Sequence, residues 1–357
     1  MVCEYIWLDG RGGLRSKTRV LTTWTSVKNV SDLPIWNYDG SSTWQANSDG
    51  NTEVLLTPVF MCADPLRPDV SGLLVLCETS EGTSKETSEE TSEETSEETS
   101  EETSEGSDSC EATKGSDSCE ATKGSDSCFA TKGSDSCEET KATKATKDEP
   151  LPTNYRNCWT QNVDQCASGC MFHEPWFGIE QEYTIFFTGK NQSQITNAGG
   201  QHYCGTSIDI RERAIAEEHL LACLDAGLTV SGINAEVATR QWEFQIGPVC
   251  GVAAADQTYV ARFLLERIAE KYDAWINYHP KLVPDANGQG CHINFSTKQM
   301  REAGGLDVIM ASMEKLERRH KEHISIYGAD NHLRLTGQHE TSSMEIFSCG
   351  KGHAIHR

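Results

Sequence analysis

Four glutamates and one histidine, Glu180, Glu182, Glu236, Glu243 and His292, are the side chains of this sequence best suited to chemistry. The neighbours of the first pair, Trp176, Phe177, Ile179, Tyr183, Ile185 and Phe186, are aromatic or β-branched and predict a strand. Residues two apart on a strand share a face, so Glu180 and Glu182 stand roughly 7 Å from each other. Two like charges held that way call for a cation. Glu236 in Asn234-Ala235-Glu236, Glu243 in Gln241-Trp242-Glu243-Phe244 and His292 in Gly290-Cys291-His292 complete an oxygen-rich set with a single imidazole. Such a set suits Mg²⁺ or Mn²⁺ rather than zinc, whose structural sites favour sulfur and nitrogen. A hard cation in turn implies phosphate chemistry. Each residue alone has a plainer reading, an exposed strand glutamate or a satisfied core histidine; the combination carries the metal expectation.

The elements that would position these groups follow from periodicity. After residue 149, helical spacing occurs over Ala214 to Leu224, over Val260 to Trp275 and over Leu306 to Ile326. Strand-like runs cover Glu182 to Phe187, Gln241 to Ile246 and His292 to Phe295. Before the middle of the chain, Tyr5 to Leu8, Arg19 to Leu21, Val54 to Leu56 and Leu73 to Leu76 are short strands between Gly, Asp and Pro turns. An all-β start followed by interleaved strands and helices predicts an α+β protein.

Between the two parts lies a double repeat. A four-residue Thr-Ser-Glu-Glu unit runs from Thr79 to Glu105, and a nine-residue Gly-Ser-Asp-Ser-Cys-Glu-Ala-Thr-Lys unit recurs from Gly106 to Lys141. Neither period carries an apolar face that could offset the entropy of ordering, which predicts disorder over 79–148. That segment holds 20 acids and 7 lysines, more than half of the net charge of −23. The remainder shows no basic groove, which argues against nucleic acid as a partner. No apolar run approaches the ~18 residues that span a membrane. The start lacks the basic-then-apolar order of a signal peptide, so a cytoplasmic protein is expected. Fifteen cysteines, four of them copies within the repeat, read as reduced thiols, with Cys166 and Cys170 the one pair at a metal-like spacing.

Six ordered segments, Tyr5–Gly10, Asn37–Thr43, Pro175–Tyr183, Gln241–Pro248, Gly290–Ser296 and Leu335–Ser342, closely resemble eukaryotic-type glutamine synthetase. The resemblance covers residues 3–78 and 152–348 and implies three parts. These are a small β-grasp-like N-terminal domain over 1–78, the disordered acidic insert over 79–148, and a catalytic α+β domain on an antiparallel sheet over 149–357. It implies a ligase that uses ATP to activate glutamate as γ-glutamyl phosphate, from which ammonia displaces phosphate. In that pattern Glu182, Glu236 and Glu243 hold one divalent ion, and Glu180 with His292 the other. Asn294, Phe295 and Ser296 contact the nucleotide, as does Glu243 through its ion, while Asn287, Gly288, Gly290 and Arg334 receive the glutamate. Asp39 reaches a neighbouring subunit's site to bind ammonium and take its proton, and Glu340 lies on a flap that closes over the acyl phosphate. Shared sites imply a homo-oligomer of stacked rings, a decamer in eukaryotic members.

The sequence also departs from the family pattern. Asp285-Ala286 stands where the family has Asn-Trp and is one residue shorter, and Leu333 replaces an arginine beside Arg334. The family continues past Ser348 with further arginines and a second-site glutamate ligand, which this sequence does not show. A second expectation therefore stands beside the ligase: a catalytically impaired relative with a structural or interaction role.

Overall fold

The computed structural model describes residues 1–22, 27–46, 50–82, 150–152, 154–165, 173–189, 195–197, 200–206, 208–339 and 342–349. The expected disorder of the repeats beyond Gly82, the Cys166 and Cys170 pair, and Glu340 lie outside these residues.

The first 82 residues build a mixed five-stranded sheet from β1 (Val2–Leu8), β2 (Leu14–Val20), β3 (Trp36–Asp39), β4 (Glu53–Ala63) and β5 (Gly72–Glu81), in the order β2-β1-β5-β4-β3. The central pair β1 and β5 is parallel and the other pairs are antiparallel. Alternation explains why β1 is buried on both faces. Cys3, Tyr5 and Trp7 close a core with Leu33, Leu56, Val75 and Cys77, while Ile6, between them, joins Leu74 and Leu76 in the main core of the molecule. β5 continues through Thr79, Ser80 and Glu81, paired with β4, so the first repeat residues are ordered rather than disordered. Cross-strand partners Leu56, Leu55 and Val54 on β4 hold Thr79, Ser80 and Glu81 in the sheet, although only Thr79 is of a strand-favouring type.

The second sheet is antiparallel: β6 (Trp176–Phe187), β7 (Val230–Ala235), β8 (Gln241–Cys250) and β10 (Cys291–Ser296) in the order β10-β6-β8-β7, with β9 (Ala274–Asn277) on the far end of β6. One face carries Tyr183, Ile185, Phe187, Trp242, Phe244 and Ile246. It packs under α2 (Ile210–Asp225) and α3 (Ala253–Glu270), whose Ile215, Cys223, Val260, Leu264 and Ile268 are fully buried. A further helix, α1 (Tyr155–Gln165), precedes β6. The α+β class is as the sequence pattern predicts, and the antiparallel second sheet is as the family resemblance implies.

Two helix boundaries differ from the sequence reading. The Val260 to Trp275 period is cut at Glu270: Asp273 adopts a left-handed φ of 51°, and Trp275 enters β9 to stack on Phe186 at 4.3 Å. Its apolar spacing continues because strand residues pack there too. The Leu306 to Ile326 stretch breaks after α5 (Gly305–Arg318) into α6 (His320–Ser325), past the one-turn α4 (Lys298–Arg301) and ahead of α7 (Asn331–Arg334). Buried His320 donates from Nε2 to the Met344 carbonyl at 2.8 Å, a long-range contact that local periodicity does not register. β3 is a strand that the sequence reading does not name: Trp36-Asn37-Tyr38-Asp39 does alternate aromatic and polar residues, but over only four residues, and its pairing with β4 makes it a strand.

Candidate active site

Register decides which acids meet. β10 pairs His292 with Glu180, and β8 pairs Glu243 with Glu182, so the face opposite the helices gathers carboxylates from neighbouring strands. Glu236 follows the last residue of β7, one position beyond the Ala235–Trp242 pair. Two donor groups result, each with ligand atoms within 4.8 Å of one another: Glu182, Glu236 and Glu243, and Glu180, Glu243 and His292. Glu243 belongs to both. The second group thus has three donors among the described residues, one more than the pair Glu180 and His292 suggested by sequence alone.

These carboxylates crowd one another. Burial, reinforced by the charges of Glu236 and Glu243, pushes the Glu182 carboxyl up to about 8, against a backbone hydrogen bond from Gly290 and the nearby Arg334 that lower it. Burial likewise pushes Glu243 up to about 7, with Glu236 and Glu180 adding to the rise. An all-oxygen group beside an oxygen group with one imidazole, short of positive charge, fits hard divalent cations.

A layer of amides holds the acids in place. Glu182 accepts from the Gly290 N–H at 2.8 Å and from Gln241 Nε2 at 3.1 Å. Gln245 donates to both Glu243 and Asn234, and Asn234 donates to Glu236 Oε1 at 2.7 Å. Glu180 receives Asn294 Nδ2 at 2.7 Å and faces His292 Nδ1 at 3.4 Å. Asn234 and Gln241 appear beside the acids in the sequence reading, but they and Gln245 receive no role there, although residues 241, 243 and 245 share one face of a strand. Tyr203 is a second omission, its hydroxyl pushed up by Cys204 and Glu236 nearby. Nothing in the sequence pairs it with the cluster.

Beside Glu180 opens a cleft of about 370 Å³ lined by Trp176, Gly178, Gln245, Asn294, Phe295 and Ser296, among others. The expected nucleotide residues therefore flank the second donor group. On the other side, Gly288 and Gly290 adjoin Arg334. A Cβ on Gly288 would lie 2.5 Å from Arg334 Cγ, and one on Gly290 3.3 Å from His292 Nε2. A side chain at 288 would therefore displace Arg334, while one at 290 would press on His292. The Asn287 N–H donates to Asn197 Oδ1 at 2.8 Å, fixing the start of this turn.

Asp39 is not in either donor group. It is exposed at the end of β3, where its carboxylate accepts from the Ser41 N–H at 2.9 Å and caps a 3₁₀ turn, Gly40–Thr43. That backbone hydrogen bond holds its carboxyl below the usual range. Leu333 is exposed beside Arg334, and Ala286 is buried with Phe186, Ile195 and Ala238. No helix among the described residues is long and apolar enough to cross a membrane, and the described cysteines form no disulfide.

Residues 154–307 match the family described as glutamine synthetase, catalytic domain. A protein of Acanthamoeba polyphaga mimivirus, carrying a provisional glutamine synthetase name, is 40% identical over 98% of this chain and 82% of its own length. The glutamine synthetases of Agaricus bisporus and Suillus bovinus are 37% and 38% identical, each over 97% of this chain and 80% of theirs. A solved structure described as "Apo GmaS without ligand" superposes with a TM-score of 0.52 at 14% identity, over 83% of this chain and 54% of that one. At that identity the likeness is one of fold.

Proposed function

Since the chain belongs to the glutamine synthetase family, we propose that it is a glutamate–ammonia ligase that forms glutamine from glutamate, ammonia and ATP through γ-glutamyl phosphate. The observation that carries this reading is Glu243 standing in both donor groups beside the cleft of Asn294, Phe295 and Ser296. In the proposal Glu182, Glu236 and Glu243 hold one Mg²⁺ or Mn²⁺, and Glu180, Glu243 and His292 hold the second. Bound there, the ions supply Lewis-acid stabilisation to a transferring phosphoryl group.

The protein's own groups do the rest. Asn294, Phe295 and Ser296 seat the nucleotide in the cleft that Glu180 also lines. Gly288 and Gly290 leave room for the amino acid against Arg334, whose planar guanidinium pairs with a planar carboxylate, and Asn287 closes the turn. Glu340 closes over the acyl phosphate and excludes water. Asp39, from a neighbouring subunit of a ring-shaped homo-oligomer, binds ammonium and accepts its proton; its exposed place at the edge of the N-terminal sheet supports a role in trans. A cytoplasmic location accords with these soluble substrates.

A second reading, a relative that binds nucleotide with little turnover, is favoured by Ala286 and Leu333, which stand where the family pattern has tryptophan and arginine. The test supplies the full chain with glutamate, ATP, Mg²⁺ or Mn²⁺, and hydroxylamine in place of ammonia. Glutamate-dependent hydroxamate supports the ligase. A thermal shift with Mg-ATP but no hydroxamate favours the second reading, and no shift removes both.

A further inference from the structure

Glu236 is the donor that the sheet supports least. Its strand ends at Ala235, and pairing with β8 stops there. Its own N–H donates to the Gln241 carbonyl at 2.8 Å, and its carboxylate is oriented by Asn234. Its carbonyl is held by a group from elsewhere: His202 Nδ1, at 2.6 Å. The other ring nitrogen of His202 meets Glu212 Oε2 at 3.1 Å, and both side chains are buried. A carbonyl can only accept, so Nδ1 is the donor to the Glu236 backbone.

The pair is set on rigid supports. Glu212 lies in the first turn of α2, which is capped by Asp209. The turn after His202 is sewn to the end of β7 by the Cys204 N–H on the Ala235 carbonyl at 2.9 Å, and it is closed by the Gly205 N–H on the His202 carbonyl at 2.8 Å. The imidazole also meets the Trp242 ring edge-on, with centroids 6.5 Å apart. A continuous line of contacts therefore runs from α2 through Glu212 and His202 to the backbone of a metal-donor residue.

We propose that His202, fixed by Glu212, is a positioning residue that holds Glu236 in place to complete the Glu182, Glu236 and Glu243 cation site. The inference rests on the metal reading above and adds an imidazole–carboxylate pair outside the donor groups to the machinery of that site. Partners of this kind commonly change metal affinity by about 10- to 100-fold when removed.

The two ring nitrogens can be probed separately in the full-length chain. In His202→Asn the side-chain amide falls near the Nδ1 position and can still donate to the Glu236 carbonyl. In His202→Gln it falls near Nε2 and reaches only Glu212. Binding of Mn²⁺ alone, read from the loss of the free-ion electron paramagnetic resonance signal, is expected to weaken roughly tenfold in His202→Gln and by no more than about threefold in His202→Asn. Thermal unfolding in EDTA is expected to fall equally for both, since each loses one buried hydrogen bond. Equal Mn²⁺ affinities in the two variants, whether both lowered or both unchanged, would overturn the proposal and leave a purely structural ion pair. Absence of Mn²⁺ binding by the unsubstituted chain would instead remove the metal reading itself, and this inference with it.

Discussion

On β8, Trp242, Phe244 and Ile246 turn toward α2 and α3, while Gln241, Glu243 and Gln245, alternating with them, turn toward the acids. β6 repeats the contrast, with Tyr183 and Ile185 on one side and Glu180 and Glu182 on the other. The two faces share backbone, register and hydrogen bonds, so their difference is one of side-chain chemistry. The apolar face lowers the energy of the folded state by removing carbon from water. The acidic face raises it, since Glu182 and Glu243 are held in surroundings that disfavour their charge. The first face stabilises an arrangement that the second would not hold unaided, and a bound cation is what would reverse the balance.

The largest expected effect comes from damaging the supporting face. Phe244→Ala should lower stability by about 3–5 kcal/mol in urea unfolding followed by circular dichroism, because the side chain is fully buried. Mn²⁺ affinity of the molecules that remain folded should change little. A comparable loss in affinity would mean that the two faces are not separable.

Next is Glu243→Ala, which removes the donor common to both groups. Mn²⁺ binding and hydroxamate formation should fall by at least about 100-fold, beyond what loss of an outer partner causes. The unfolding temperature in EDTA should hold or rise, as a repelled charge has gone. A drop would show that Glu243 stabilises the fold.

The metal-free protein should also respond to pH. Glu182 and Glu243 have folded values near 8 and 7, above those of an unfolded chain. Their contribution is fully present below about pH 4.5 and is lost as pH rises through 7 and 8. In EDTA the unfolding temperature should therefore fall by on the order of 5 °C between pH 5.5 and 8.5. Added Mg²⁺ should restore more at pH 8.5 than at pH 5.5. A flat profile in EDTA would break the contrast between the faces.

The smallest effect tests the edge of the acidic face. Gly288→Ala would bring a Cβ against Arg334 and the Pro280 carbonyl. The KM for glutamate should rise roughly tenfold with little change in kcat, the pattern of lost substrate binding.

Much of this was legible in the sequence because it depends on local alternation. A period of two puts Glu180 and Glu182 on one face wherever the strand lies, and aromatic flanks mark that strand. Composition likewise marks the repeats as lacking a core, although Thr79 to Glu81 form strand because β4 lies alongside. The missed features are those whose partners are distant in the chain. β3, only four residues long, is held by β4; α6 starts at His320, whose ring bonds to Met344; and α3 ends before a turn into a strand that stacks on Phe186.

By itself, then, the sequence determined the α+β class, the family and the identity of the acids, since these depend on residue type and near-neighbour spacing. The tertiary structure alone decided how the acids are shared. Register between β6 and its two neighbours sets Glu243 opposite Glu182 and His292 opposite Glu180, and so makes Glu243 a member of both groups. Only the fold, too, carries Glu212 and His202 to the back of Glu236. Strand register and helix placement are fixed by burial summed over the whole core, a quantity that no short window of sequence contains.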